Sequence, residues 1–332
     1  MTAFARIRFA ALLLMLFGLT TASVPAQKLG PDGAPNPTAS VTTQKTLLEQ
    51  AARIQGRIDI PDAKAGVLVQ PAGRTWDYFH EVLLHWGAAL VIVGMLAVLA
   101  LAYLIMGRLR IEAGRSGQTI VRFKAFERFA HWLTAVSFVL LGLTGLNVTF
   151  GKILLRPLVG PDAFSDISQI AKYVHNFTSF AFVAGLVLIT LLFFRDNLFK
   201  RIDIDWVKQG GGFIKSKHAP AGRFNLGEKM VYWLSVAAGV AVSVSGFVLL
   251  FPFYGTNIAD MQIAQVAHAV IAILFIALIL GHIYIGTLGM EGAFEAMGTG
   301  EVDINWAREH HDRWLAEKLE AEGRQASATP AE

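Results

Sequence analysis

The run MQIAQVAHAVIAILFIALILGHIYIGTLGM, Met261 to Met290, holds 30 residues without one charged side chain, and it contains His268 and His282. A membrane helix needs about 20 apolar residues at about 1.5 Å each, so this stretch predicts a transmembrane span. The histidines lie fourteen residues apart. At about 100° per residue that spacing returns to within about 40° of its start, so both imidazoles share one helix face, about 21 Å apart along the axis. Ionisable residues inside a membrane helix are costly and mark proton, ion or electron paths. Two on one face, one near each surface, predict two stacked sites, and the natural occupant is a pair of b-type haems.

The rest of the chain agrees with a membrane setting. Of 332 residues, 54% are hydrophobic and only 16% charged, and the mean hydropathy is +0.48. These values exclude an ordinary soluble domain. The net charge of +4 does not point to nucleic acid, because the basic residues sit between apolar segments as topology determinants. There is no cysteine. Disulfides, protein-ligated iron–sulfur clusters and haem attached through a C-x-x-C-H motif are therefore excluded. Any haem must be held non-covalently, with histidine as axial ligand.

Residues 1–26 read as a signal peptide: Arg6 and Arg8, an apolar run from Phe9 to Leu19, and small residues around Val24-Pro25-Ala26. An uncleaved signal anchor would place the following segment on the same side. Residues 27–80 are a polar periplasmic segment that opens on the Pro-rich run Pro31 to Pro37, with a short helix expected around Thr43 to Gln55. Five long apolar segments follow, at about 82–107, 129–151, 173–194, 230–251 and 266–289. The fold class is thus an all-α integral membrane protein with five transmembrane helices, the last four forming a diheme bundle. The expected division is an extra helix over 81–108, a cytochrome b domain over 120–290 and a cytoplasmic tail over 291–332.

Lys and Arg set the direction. Residues 108–128 carry six of them and residues 195–229 carry eight, whereas 152–172 carry three and the fourth interhelical loop none. The positive-inside rule puts the two basic loops and the C-terminus in the cytoplasm and the mature N-terminus in the periplasm, in a bacterial inner membrane.

Topology then gives each histidine a depth. His80, His85, His175 and His268 fall at the outer end, and His131 and His282 at the inner end. His218, His310 and His311 fall in cytoplasmic segments and are expected to be solvated. A bis-histidine haem needs two imidazoles at one depth on different helices. At the inner level the candidate pair is His131 with His282. At the outer level His268 can pair with His175 or with His85, and spacing does not choose. Zinc fits poorly, because neither level offers the thiolates or carboxylates that complete a tetrahedral shell. Arg128, three residues before His131 on the same face, is a candidate anchor for a haem propionate. Gly142, Gly145, Gly239, Gly246, Gly281, Gly286 and Gly289 serve either close helix packing or clearance for a flat macrocycle.

Several motifs occur in order: Glu127-Arg128-Phe129-Ala130-His131-Trp132, Arg223 to Met230, the His268/His282 helix, and Trp306 to Trp314. Together, over about residues 120–316, they resemble the cytochrome b (gamma) subunit of respiratory formate dehydrogenase. Residues 57–110 resemble the longer members of that family, which carry a signal peptide and an extra helix. The resemblance implies a four-helix core with two b haems. It would pass electrons from a periplasmic iron–sulfur (beta) subunit, itself served by a catalytic (alpha) subunit, to quinone near the cytoplasmic face. It also implies His131 and His282 as inner haem ligands, His175 with His268 as the outer pair, and Asn225 near the quinone, where the second ring nitrogen of His282 could join it. The chain itself would be a non-catalytic electron-transfer subunit. Cytochrome b subunits of nickel–iron hydrogenases and thiosulfate reductases share the diheme design, and a haem-free membrane anchor is the rival from another class.

Overall fold

Two of the long helices begin at an asparagine cap and one at a proline, each where the sequence supplies the start signal. The structure, a computed structural model, describes residues 76, 78–211 and 219–328. The expected signal peptide, the helix at 43–55 and His218 lie outside these residues. Helix α1 (Phe79–Met106) opens with a π-helical turn over Phe79–Leu84, in which the Nδ1–H of His85 donates to the His80 carbonyl at 2.8 Å. Strand β1 (Thr119–Val121) precedes α2 (Ala125–Leu154), whose first turn is held by Glu127 accepting from the Lys124 amide. A short helix α3 (Arg156–Val159) follows. Helix α4 (Pro161–Phe193) starts with proline in its first turn, just after Gly160 at φ +85°, a left-handed value that suits glycine.

Helix α5 (Arg201–Lys208) leads to α6 (Leu226–Leu250), capped by Asn225, and α7 (Ile258–Gly289), capped by Asn257. In both caps the asparagine side chain accepts from the third helical amide, and the acidic residue there, Glu228 or Asp260, accepts from the cap amide. The chain closes with α8 (Ala293–Gly298), strand β2 (Glu301–Asp303), α9 (Ile304–His310) and α10 (Asp312–Ala328). Helices α1, α2, α4, α6 and α7 are each long and apolar enough to cross a membrane, five among the described residues. The expected all-α membrane fold holds, and the spans run further than hydropathy marked them. Helix α4 begins twelve residues earlier than expected, because its amphipathic first turns lower the mean hydropathy without breaking the helix.

Helix α2 packs along α4, α6 along α7, and α1 lies on α7 through Leu84, Ala88 and Ile273. Glycine lets two of these surfaces approach. A Cβ on Gly185 of α4 would meet Thr134 of α2, with its backbone N at 3.0 Å and Cα at 3.1 Å. A Cβ on Gly239 of α6 would lie 2.9 Å from the Leu186 side chain.

The end of the bundle where α2 starts and α7 finishes carries an addition that hydropathy could not reveal. Strands β1 and β2 pair antiparallel there, Ile120 opposite Val302. The segment after α7 folds back over this strand end, so that Val302, Trp306 and Trp314 share one buried core with Phe123 and Phe193. This corrects the expectation that His311 is solvated: it is 1% exposed. Its Nδ1–H donates to the Gly222 carbonyl at 3.0 Å, and its Nε2 accepts from Arg122 Nη2 at 3.0 Å. Fixed partners replace water on both ring nitrogens, which is what allows a polar ring to be buried. His310 stands half-buried, its ring 5.2 Å from that of Trp306.

Arg122 is the hub of this end. Its guanidinium donates to the Arg223 carbonyl at 2.9 Å and to Glu228 at 3.2 Å, and it lies 5.1–5.9 Å from the ring centres of Phe123, Phe224, Trp306 and Trp314. Burial holds its pKa below the usual arginine value, opposed by Glu228. Lys229, 2% exposed, is held by both carboxylate oxygens of Asp203 at 2.8 Å.

Candidate functional site

Helix α7 carries His268 and His282 on one face, and the bundle brings each a single partner. The rings of His131 on α2 and His282 have centres 6.2 Å apart, inclined at 58°. Those of His175 on α4 and His268 are also 6.2 Å apart, inclined at 69°. Of the two rings that spacing left open at the outer level, His175 is the one that lies beside His268. His85 is engaged elsewhere, bonded to His80 and set edge-on to Phe150 at 6.0 Å.

The common 6.2 Å spacing fits one metal between two imidazoles. A metal–imidazole bond of about 2.0–2.1 Å, with the ring centre about 1.1 Å behind the ligating nitrogen, gives about 6.2 Å across the metal. The donor set narrows the kind of metal. Among the described residues no group of three or more His, Cys, Asp or Glu gathers that could hold a metal ion. Two imidazoles without further protein donors suit a metal that brings its own equatorial ligands, as haem iron does.

Hydrogen bonds bear on the tautomer of the outer pair. The Thr144 hydroxyl lies 2.8 Å from the Leu140 carbonyl and 2.8 Å from His175 Nδ1, so with its one proton on the carbonyl it is placed to accept the ring N–H. His268 Nδ1–H donates to the Val242 carbonyl at 3.1 Å, with Ser245 Oγ also at 3.1 Å. Both rings then keep the Nε2 lone pair for a metal, the arrangement expected around ligating histidines. The inner level differs. His131 Nδ1 is buried with no hydrogen-bond partner. A buried ring nitrogen without a partner is costly, and a metal on that nitrogen would remove the cost. The small residues divide between their two expected uses. A Cβ on Gly145 would sit 3.7 Å from His175 Cε1 and one on Gly246 would sit 3.2 Å from His268 Cε1, so these two keep room beside the outer imidazoles. Gly239 serves helix packing, and a Cβ on Gly281 or Gly286 would meet nothing within 4 Å.

The remaining expected site residues lie at the strand end. Arg128 donates to the Met297 carbonyl at 3.3 Å and to that of Gly298, and Trp132 Nε1 donates to Met297 at 2.8 Å, so α2 grips the C-terminal turn of α8 beside His131. Asn225 spends its Oδ1 on the cap of α6 and keeps its amide N–H2 as a donor. Thr144, Ser245 and the Val242 carbonyl had no local signal in the sequence. They reach the histidines across helix interfaces, 23 to 31 residues away in the chain.

Known proteins resemble this chain in sequence. The family described as prokaryotic cytochrome b561 matches residues 122–300. The cytochrome b556(fdo) subunit of formate dehydrogenase from Escherichia coli K12 is 32% identical over 203 residues, 60% of this chain and 93% of the relative. The formate dehydrogenase cytochrome b556 subunit of Haemophilus influenzae is 29% identical over 206 residues, covering 60% and 84%. The nitrate-inducible cytochrome b556(Fdn) subunit of E. coli K12 is 28% identical over 216 residues, covering 63% and 95%. With its five candidate spans and its paired histidines, the chain belongs to the prokaryotic cytochrome b561 family, multi-pass membrane proteins with b-type haem, and within it to the cytochrome b subunits of formate dehydrogenase.

Proposed function

We propose that the chain carries electrons across a bacterial inner membrane, from a periplasmic iron–sulfur subunit to quinone at the cytoplasmic side, with formate oxidised on a separate catalytic subunit. Two b-type haems, one at each histidine level, would supply one-electron redox centres. The observation that carries this reading is the pair of 6.2 Å imidazole spacings strung along one helix.

In this reading residues 120–290 are the haem domain and α1 is an addition to it. His175 and His268 hold the outer iron, and Thr144 and Val242 keep their Nδ1 nitrogens protonated so that Nε2 faces the metal. His131 and His282 hold the inner iron. Arg128, whose guanidinium is only partly used by Met297 and Gly298, has N–H groups to offer a propionate. Asn225, whose amide N–H2 has no partner among the described residues, and the second nitrogen of His282 are the donors proposed for a quinone carbonyl. The basic loops support a cytoplasmic strand end. An electron moving inward against an inside-negative potential climbs about 2.3 kcal/mol per 100 mV for a full crossing, so the donor must be of low potential.

The test is a haem count with a reduced-minus-oxidised spectrum on purified protein. Two b haems per chain are expected. His131→Ala and His282→Ala should each lose one haem, His175→Ala and His268→Ala the other, and His85→Ala neither. A haem-free wild-type protein would leave a membrane anchor as the function, and a His131→Ala protein that keeps two haems would break the pairing.

A further inference from the structure

Midway between the two histidine levels, three phenylalanines occupy the faces that carry the histidines. Phe138 lies seven residues after His131, Phe182 seven after His175, and Phe275 seven after His268 and seven before His282. Seven residues make nearly two turns, so each ring stands about 10 Å along its helix from a histidine and on nearly the same side. The chain directions bring all three to one height. Ring centres lie 4.6 Å apart for Phe138 and Phe275, 6.2 Å for Phe138 and Phe182, and 6.4 Å for Phe182 and Phe275. Phe182 and Phe275 are only 3% and 4% exposed, and Leu186, Val242 and Ile279 complete the layer from α4, α6 and α7. Residues 138–143, 180–189, 236–242 and 269–281 carry no side-chain nitrogen or oxygen. Polar groups gather on either side: His175, His268, Thr144 and Ser245 beyond the layer at one level, and His131, His282 and Arg128 at the other.

From this juxtaposition we infer that Phe138, Phe182 and Phe275 form a proton-tight septum, which keeps the water-accessible halves of the bundle from joining. The physical need is specific. A protein that moves electrons inward against the potential stores nothing if protons can follow through the same bundle. Water and protons cross an apolar layer only where polar groups replace it, because a dry apolar cavity stays dry. Four helices each contribute to the layer, and three aromatic rings pack against one another at its centre. The inference rests on the transmembrane reading of the bundle and not on the identity of the electron donor or acceptor.

The test needs no turnover. Purified full-length protein, with its haem counted, is placed in unilamellar phosphatidylcholine vesicles holding a pH-sensitive dye, with a potassium diffusion potential set by valinomycin. Wild-type vesicles should conduct protons no faster than protein-free vesicles. Phe275→Asn should raise proton conductance per protein by about tenfold or more by bringing a hydrated side chain into the layer. Phe275→Leu, which keeps the layer apolar, should stay tight. Should Phe275→Asn fail to assemble, Phe138→Asn probes the same contact from α2. The septum is overturned if the wild type leaks, if the Leu variant leaks as much as the Asn variant, or if an assembled Asn variant stays tight. Loss of haem from the wild type would instead strike the electron-transfer reading and leave the conductance result standing.

Discussion

Thr144 Oγ1 lies 2.8 Å from both His175 Nδ1 and the Leu140 carbonyl, so a hydroxyl that gives its one proton to the carbonyl is placed to accept the ring N–H. With the proton on Nδ1, the other ring nitrogen, Nε2, keeps its lone pair. Thr144→Val removes the acceptor at nearly constant volume and frees the ring to rotate or change tautomer. Loss of such a supporting partner typically weakens metal affinity by about 10–100-fold. If a haem sits at each histidine level as proposed, the outer one should therefore be lost first when the variant is titrated with a haem-binding competitor, while the inner one stays at wild-type affinity. Equal retention of both would mean that Thr144 does not orient His175.

At Gly185 the backbone of α4 lies close against Thr134 of α2. A methyl group there has backbone within about 3 Å and the Thr134 hydroxyl in its way, and backbone cannot rotate aside. Gly185→Ala should push the two helices apart at a cost of about 1–3 kcal/mol. Since α2 carries His131 and α4 carries His175, both haems should bind more weakly and the thermal transition in detergent should fall. Gly94→Ala on α1, where a Cβ meets nothing within 4 Å, is the matched control and should leave both unchanged.

His311 predicts an acid-sensitive strand end. Burial, reinforced by the neighbouring charge of Arg122, holds its pKa well below the ordinary histidine value, and His310 adds a smaller push in the same direction. Glu228, 3.6 Å from Nε2, is the acidic group facing the ring, and the Gly222 carbonyl supports the bound N–H. The folded ring stays neutral where an unfolded one, with a pKa of about 6.5, would take a proton. Its contribution is therefore complete above about pH 6.5 and is lost as the pH falls toward the depressed folded value, at up to about 1.4 kcal/mol per pH unit. Protonation would also set a new N–H against Arg122 Nη2. Fluorescence of Trp306 and Trp314 should report release of the tail as the pH drops from 8 to 5. His311→Gln should flatten that response, and an unchanged acid transition in the variant would assign it to another group.

The sequence made the two histidine levels legible because a membrane helix is the one element whose length, face and depth follow from composition. Fourteen residues between His268 and His282 gave both spacing and side. Legibility stopped where contacts cross between helices. Nothing local says that His175 and not His85 meets His268. Strands β1 and β2 have three residues each and come from segments about 180 residues apart, too short to show alternation and too distant to suggest pairing. His311 looked like a surface residue for the same reason: Arg122, its partner, is 189 positions away. Other signals were present but outweighed. Gly160-Pro161 is a helix-start pattern that hydropathy averaging passed over.

Asn225 has two possible duties, and the structure allows them to be separated. Its Oδ1 accepts the Glu228 amide at 3.0 Å and so caps α6, while its N–H2 remains available as a donor. Asn225→Ala removes both functions and should lower stability by about 1 kcal/mol through the lost cap. Asn225→Asp keeps an acceptor at the cap and removes only the donor. If the amide bonds a quinone carbonyl, both variants should keep two haems that the donor enzyme can reduce. In both, reoxidation of those haems by quinone should slow by about one to two orders of magnitude, as expected for a lost hydrogen bond of about 1.5–3 kcal/mol. Stopped-flow reoxidation read beside thermal stability distinguishes the outcomes. A stable Asp variant that reoxidises at the wild-type rate, beside a destabilised Ala variant, would make Asn225 a cap alone and move the quinone to another part of the strand end.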